Sequence, residues 1–208
     1  WLTFGSAVEV PESTKVIESA YDLGISFFDT ADVYATGAAE EVLGQTLRNI
    51  PRHHLVIATK CFFAMSDRPN DKGLSRKHVF ESVHSSLKRL GTDYIDIHQC
   101  HRYDSDTPVS ETVRAYDDLI RMGKVLYWGV SEWSAAQIQE ACDAADAIGA
   151  PRPISNQPNY SIMRRGIEDD VLPTWPLYTS GAAADPVPVQ HAASPFRDNN
   201  STHHSQQS

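Results

Sequence analysis

The 208-residue chain has no apolar run long enough to span a bilayer and no secretory leader. Both absences argue against a membrane-spanning or exported protein. Cysteine is scarce. Cys61, Cys100 and Cys142 form an odd set without paired spacing. They read as reduced thiols in a cytoplasmic protein. Basic charge is also short: 18 Lys and Arg stand against 27 Asp and Glu, a formal net charge of −9. With no basic stripe in view, a nucleic-acid-binding surface is disfavoured. Neither a G-x-G-x-x-G fingerprint nor a phosphate P-loop is present, which removes the commonest sequence signs of a doubly wound nucleotide domain. Apolar residues reach only 41%. That is low for a compact globule, so part of the chain is expected not to fold.

What is present is alternation. Short β-rich runs occur at 2–5, 26–30, 55–60, 94–100, 125–130 and 153–157. Helical patterns lie between them. In "SRKHVFESVHSSLKRLG", Val79, Val83, Leu87 and Leu90 form one apolar stripe, Ser75 is an N-cap and Gly91 a C-terminal stop. "TPVSETVRAYDDLIRMG" predicts a helix capped by Thr107, with Pro108 at its first position and Gly123 at its end. "SAAQIQEACDAADAIG" opens with a capping box, Ser134 to Gln137, and stops at Gly149. Residues 13–23 and 38–48 supply two more helices. Strands joined by helical crossovers pair in parallel, with right-handed connections. A doubly wound sheet and a (β/α) barrel both satisfy this pattern. The missing glycine fingerprint favours the barrel.

Two features lie outside the pattern. The chain opens on "WLTFG", without methionine, which reads as a start inside a folded segment. After Pro173 there is no lysine, no glutamate and no helical stripe. Residues 1–173 are therefore expected to form a partial barrel, and 174–208 a disordered, low-complexity tail.

In parallel α/β folds the functional groups gather beyond the carboxyl ends of the strands. Here those ends read Asp29, then Lys60, then Cys100–His101–Arg102, then Ser131–Glu132, then Asn156–Gln157. Any one of these can simply be a strand turning polar. Five together point to an assembled site. His98 and Cys100 flank His101, but alternation along a strand sends 98 and 101 to opposite faces. No metal site is expected. Trp133 either lines the mouth of the site or packs the start of the next helix.

The segments "FFDTADVYATGAAEEVLG", "LVIATK", "GLSRKHVFESVHSSLKRLGTDYIDIHQCHRYD", "YWGVSEWSAAQI" and "NQPNYSIMRR" carry a resemblance to the aldo-keto reductases. The nearest branch is the one with potassium-channel β subunits and bacterial aldo/keto reductases. The resemblance runs from Trp1 to about Pro173. It implies a (β/α)8 TIM-barrel type fold, incomplete here at about six β/α units. It also implies NADPH as cofactor, aldehydes or ketones as substrates, and an Asp–Tyr–Lys–His tetrad. Asp29 and Tyr34 match its D-x-x-x-x-Y element, Lys60 its lysine and His101 its histidine. Trp1, Asp29, Ser131, Glu132 and Gln157 stand at its cofactor-contacting positions.

The chemistry these residues imply is direct. A carbonyl that accepts hydride becomes an alkoxide and needs a proton. A phenol with an ordinary pKa near ~10 is a slow donor at neutral pH. A neighbouring Lys60 ammonium is expected to lower it. Asp29 is expected to hold the lysine charged, and His101 to orient the carbonyl. Relatives continue with a seventh strand bearing an aromatic-Ser-Pro segment, an eighth strand, and a basic loop for the cofactor's 2′-phosphate. None of these is found in 174–208, so a barrel of typically ~250 residues is expected to be truncated after its sixth strand. Three functions fit: a reductase, a regulatory nucleotide-binding module like the channel subunits, or an inactive fragment. Channel subunits of that branch commonly carry Asn where His101 stands, so the histidine favours catalysis.

Overall fold

A computed structural model describes residues 9–173. The expected strand at 2–5, Trp1 and the 174–208 segment lie outside those residues. Four strands, β1 (Phe27–Asp29), β2 (Val56–Cys61), β3 (Ile95–Cys100) and β4 (Val125–Val130), form one parallel sheet in the order β1-β2-β3-β4. Five helices alternate with them: α1 (Val10–Asp22), α2 (Ala38–Leu47), α3 (Arg76–Leu90), α4 (Val109–Arg121) and α5 (Ala135–Asp146). Sequential parallel order with helical crossovers is the arrangement of a partial (β/α) barrel.

The local signals explain most element ends. Ser75 accepts from the backbone N–H of His78, and Gly91 closes α3 in the left-handed region at φ 65°. The Ser134–Gln137 capping box opens α5. One helix start differs from expectation. Thr107 does not cap α4, because its hydroxyl donates to Asp104 Oδ2 at 2.9 Å. Pro108 takes the N-cap position and the helix begins at Val109. The 153–157 run also differs, forming only an isolated bridge, Val130 to Asn156. Its backbone nevertheless follows β4, with Ile154 N to Trp128 O at 2.9 Å and Gln157 N to Val130 O at 3.0 Å. Pro151, Pro153 and Pro158 bracket this segment, and proline cannot donate to a ladder.

The core lies between the outer face of the sheet and the helices. There Tyr116 of α4 stacks on Trp128 at 4.8 Å and its hydroxyl meets His98 Nδ1 at 2.8 Å. The helix layer packs closely. A Cβ on Gly44 of α2 would lie 2.5 Å from the Leu90 carbonyl oxygen at the end of α3. The inner face of the sheet is more open. Phe27 is 48% exposed and Tyr127 51%. No helix among the described residues is long and apolar enough to cross a membrane.

Candidate active site

The site begins at the short strand β1. Beyond Asp29 the chain keeps following β2: Thr30 N donates to Ala58 O at 2.9 Å and Asp32 N to Lys60 O at 3.1 Å. It then makes a tight turn, Tyr34–Gly37, in which Ala35, Thr36 and Gly37 all have positive φ (49°, 53° and 96°). Left-handed non-glycine residues are uncommon and strained. Here they carry the chain from Tyr34 straight into α2. Arg89 of α3 lies against the turn, since a Cβ on Gly37 would fall 2.8 Å from its Cδ.

A pocket of about 750 Å3 opens at the carboxyl ends of the strands. Asp29, Tyr34, His101, Ser131, Glu132 and Gln157 line it, together with Phe63, Arg102 and Asn159. Seven of the eight residues named from sequence fall among the described residues. Six of those, all but Lys60, line the pocket. Lys60 itself is behind the wall, with 1% exposure. Its Nζ donates to Asp29 Oδ2 and to the Thr30 carbonyl, both at 2.7 Å. Burial pulls the Lys60 pKa down, and Asp29 is the chief group opposing that pull.

Tyr34 stands otherwise than expected. Its hydroxyl has no hydrogen-bond partner among the described residues. Lys60 Nζ lies 5.3 Å from the ring centroid, over the ring. Burial and then the Asp29 charge push the phenol up, not down, and the opposing cation is Arg102. Lys60 is bonded to Asp29 at 2.7 Å, and the Asp29 charge opposes it at the phenol. The expectation that Lys60 lowers the phenol is therefore corrected in this structure.

His101 meets Tyr34 edge-on at 5.8 Å and Phe63 at 4.9 Å. Burial, then Lys60 and Arg102, push its pKa down to about 4. The ring is thus neutral near neutral pH, with one N–H to donate. His98 points to the opposite side of the sheet, against Tyr116. Ser131 Oγ donates to the Gln157 carbonyl at 2.9 Å, and Gln157 Nε2 approaches Asp29 Oδ2 at 3.4 Å. Glu132, itself at φ 56°, pairs with Arg102 Nη2 at 3.4 Å. Trp133 is buried against Tyr103 at 5.0 Å, outside the pocket lining.

Arg102, Phe63 and Asn159 are among the lining residues that sequence reasoning left without a role. Arg102 sits next to His101 at a strand end, which was the available signal. Phe63 follows β2 by two residues, and nothing in the sequence distinguishes it from a core aromatic.

The chain is 46% identical over 184 residues to a "Probable voltage-gated potassium channel subunit beta" of Oryza sativa subsp. japonica, covering 87% of this chain and 56% of that protein. It is 48% identical over 183 residues to the protein of the same name in Arabidopsis thaliana, covering 86% and 55%. The chain thus spans about half the length of the curated relatives it matches. Residues 1–176 match the Aldo/keto reductase family profile, and on that match over most of its length the chain belongs to the aldo/keto reductase family.

Proposed function

We propose that this pocket is the site of an NADPH-dependent carbonyl reductase. The observation that carries the reading is the convergence of Asp29, Tyr34, His101, Ser131 and Gln157 on one cavity, with Lys60 clamped behind Asp29. The residues suit a nicotinamide. Its carboxamide both donates and accepts, and the Ser131 hydroxyl and Gln157 amide offer both partners. Asp29 Oδ1 is buried without a partner, so it is open to a further donor. When bound, NADPH would supply the hydride.

The chain's own residues supply the rest. Tyr34 gives its hydroxyl proton to the oxygen of the reduced carbonyl, and the phenolate recovers a proton from solvent. The neutral His101 ring donates a hydrogen bond that orients the substrate carbonyl. Lys60, buried, and Asp29, at the pocket wall, form an ion pair that fixes the floor of the site. Arg102 stabilises the phenolate as it forms, because it is the cation that lowers the Tyr34 pKa.

The test is NADPH titration followed by fluorescence, together with loss of NADPH absorbance on adding a small aromatic aldehyde. Tyr34→Phe should lower turnover by roughly 10²–10⁴-fold, the range for a lost general acid, with NADPH affinity nearly unchanged. Full turnover by that variant would refute the acid role. A second reading rests on the relatives, which are named as channel β subunits. In that reading the pocket binds nucleotide for regulation. NADPH binding without aldehyde reduction would favour it.

A further inference from the structure

Behind the pocket lies a group of charges that the proposed reaction does not use. Asp32 is three residues beyond Asp29, yet it does not line the cavity. Its carboxylate is buried towards α3, where Ser82 Oγ donates to Oδ2 at 3.0 Å. Oδ1 has no partner. Glu40, in the first turn of α2, is also buried. It accepts from Thr59 Oγ1 and from Arg89 Nε, each at 2.6 Å. The Asp32 backbone N–H is bonded to the carbonyl of Lys60.

The charges in this cluster do not balance. Three carboxylates, Asp29, Asp32 and Glu40, face two cations, Lys60 and Arg89. Asp29 is bonded to Lys60 and Glu40 to Arg89. Asp32 is in no ion pair among the described residues; it is held by the Ser82 hydroxyl and the Val33 backbone N–H, with Arg89 attracting it from a greater distance. A buried carboxylate without a cation is costly unless it takes up a proton. Cys61 faces Asp32 from β2, and burial holds its thiol well above the ordinary range, so it stays neutral and adds no further negative charge.

We propose that Asp32 is a positioning residue that holds a proton beside the Lys60 strand, and that release of this proton adds to the support that Asp29 gives the positive charge on Lys60. The inference rests on reading Lys60 and Tyr34 as site residues. Burial, then Glu40, push Asp32 up to about 7, against the pull of Ser82, the Val33 backbone N–H and the Arg89 charge. Lys60 in turn is supported by Asp29 first and then by Asp32 and Glu40, against burial. Above neutrality the lysine therefore keeps its charge more firmly than below, and the site senses pH through a residue that touches neither substrate nor cofactor.

The test uses the 208-residue chain without ligand. Carboxyl carbons of labelled aspartate are followed by NMR across pH, alongside the lysine Nζ signals. One aspartate should titrate near neutrality. It should vanish in Asp32→Asn and move to higher pH in Ser82→Ala. The Lys60 Nζ signal, identified by its absence in Lys60→Met, should titrate at lower pH in Asp32→Asn. The proposal is overturned if every aspartate titrates below about pH 5, near ordinary carboxylate values. Persistence of the near-neutral signal in Asp32→Asn, or an unmoved Lys60, also overturns it. Should Asp32→Asn fail to fold, an unchanged midpoint in Ser82→Ala does the same. None of these readings needs turnover. A chain that titrates as described but reduces no aldehyde would sink the reductase reading and leave Asp32 standing.

Discussion

His101 and Asp32 are both buried titratable groups, and burial moves them in opposite senses. Each resists its charged form: the imidazole falls to about 4 and the carboxyl rises to about 7. Ring-carbon NMR should therefore find His101 neutral from about pH 6 to 8, and a midpoint near the ordinary histidine value of ~6.5 would contradict the burial seen here. The linkage signs follow. His101, and His98 at about 3, add stability that is present above their unfolded value and lost as pH falls towards 4 and 3. Asp32 adds stability that is present below its unfolded value and lost as pH rises towards 7. Asp32→Asn carries no charge to bury. Its stability relative to the parent should rise by roughly 1–3 kcal/mol between about pH 5 and pH 8, measured by urea unfolding. Asp29, Lys60 and His101 were legible because each stands at a strand end. The state of Tyr34 was not, because it depends on burial and on the charges of Asp29 and Arg102 around it.

At the scale of elements, α2 and α3 meet where Gly44 leaves no room for a side chain. Gly44→Ala forces backbone against backbone and should destabilise the fold by ~1–3 kcal/mol. A lower Tm is the expected result, and an unchanged one would mean that the helices slide apart freely. Ser134→Ala removes the capping box of α5 and should cost about 1 kcal/mol, read in the same experiment. Helices α3 and α5 were legible because their caps and stripes are local. The start of α4 was not, because Asp104 captures Thr107 from outside the helix. The 153–157 run shows the same limit. Its composition is that of a strand, but flanking prolines reduce it to a bridge.

At the largest scale, the four-stranded sheet leaves its inner face open among the described residues. Phe27 and Tyr127 are half-exposed there. Exposed apolar surface of this kind promotes association. The native chain should bind a hydrophobic dye and self-associate as concentration rises. Phe27→Ser combined with Tyr127→Ser should reduce both effects and leave the far-ultraviolet signal intact. A native chain that binds no dye would mean that the face is covered. The order of strands and helices was legible at this scale, since parallel pairing follows from helical crossovers.

By itself the sequence determined the parallel β/α order, the strand ends that gather at the pocket, and the family. These depend on local periodicity, caps and the identity of residues along the chain. Only the tertiary structure decided that Lys60 lies behind Asp29, outside the pocket wall, and that Arg102 is the cation acting on Tyr34. It alone showed that Asp32 lacks a cationic partner. Charge interactions depend on distance and burial, and neither is written along the chain.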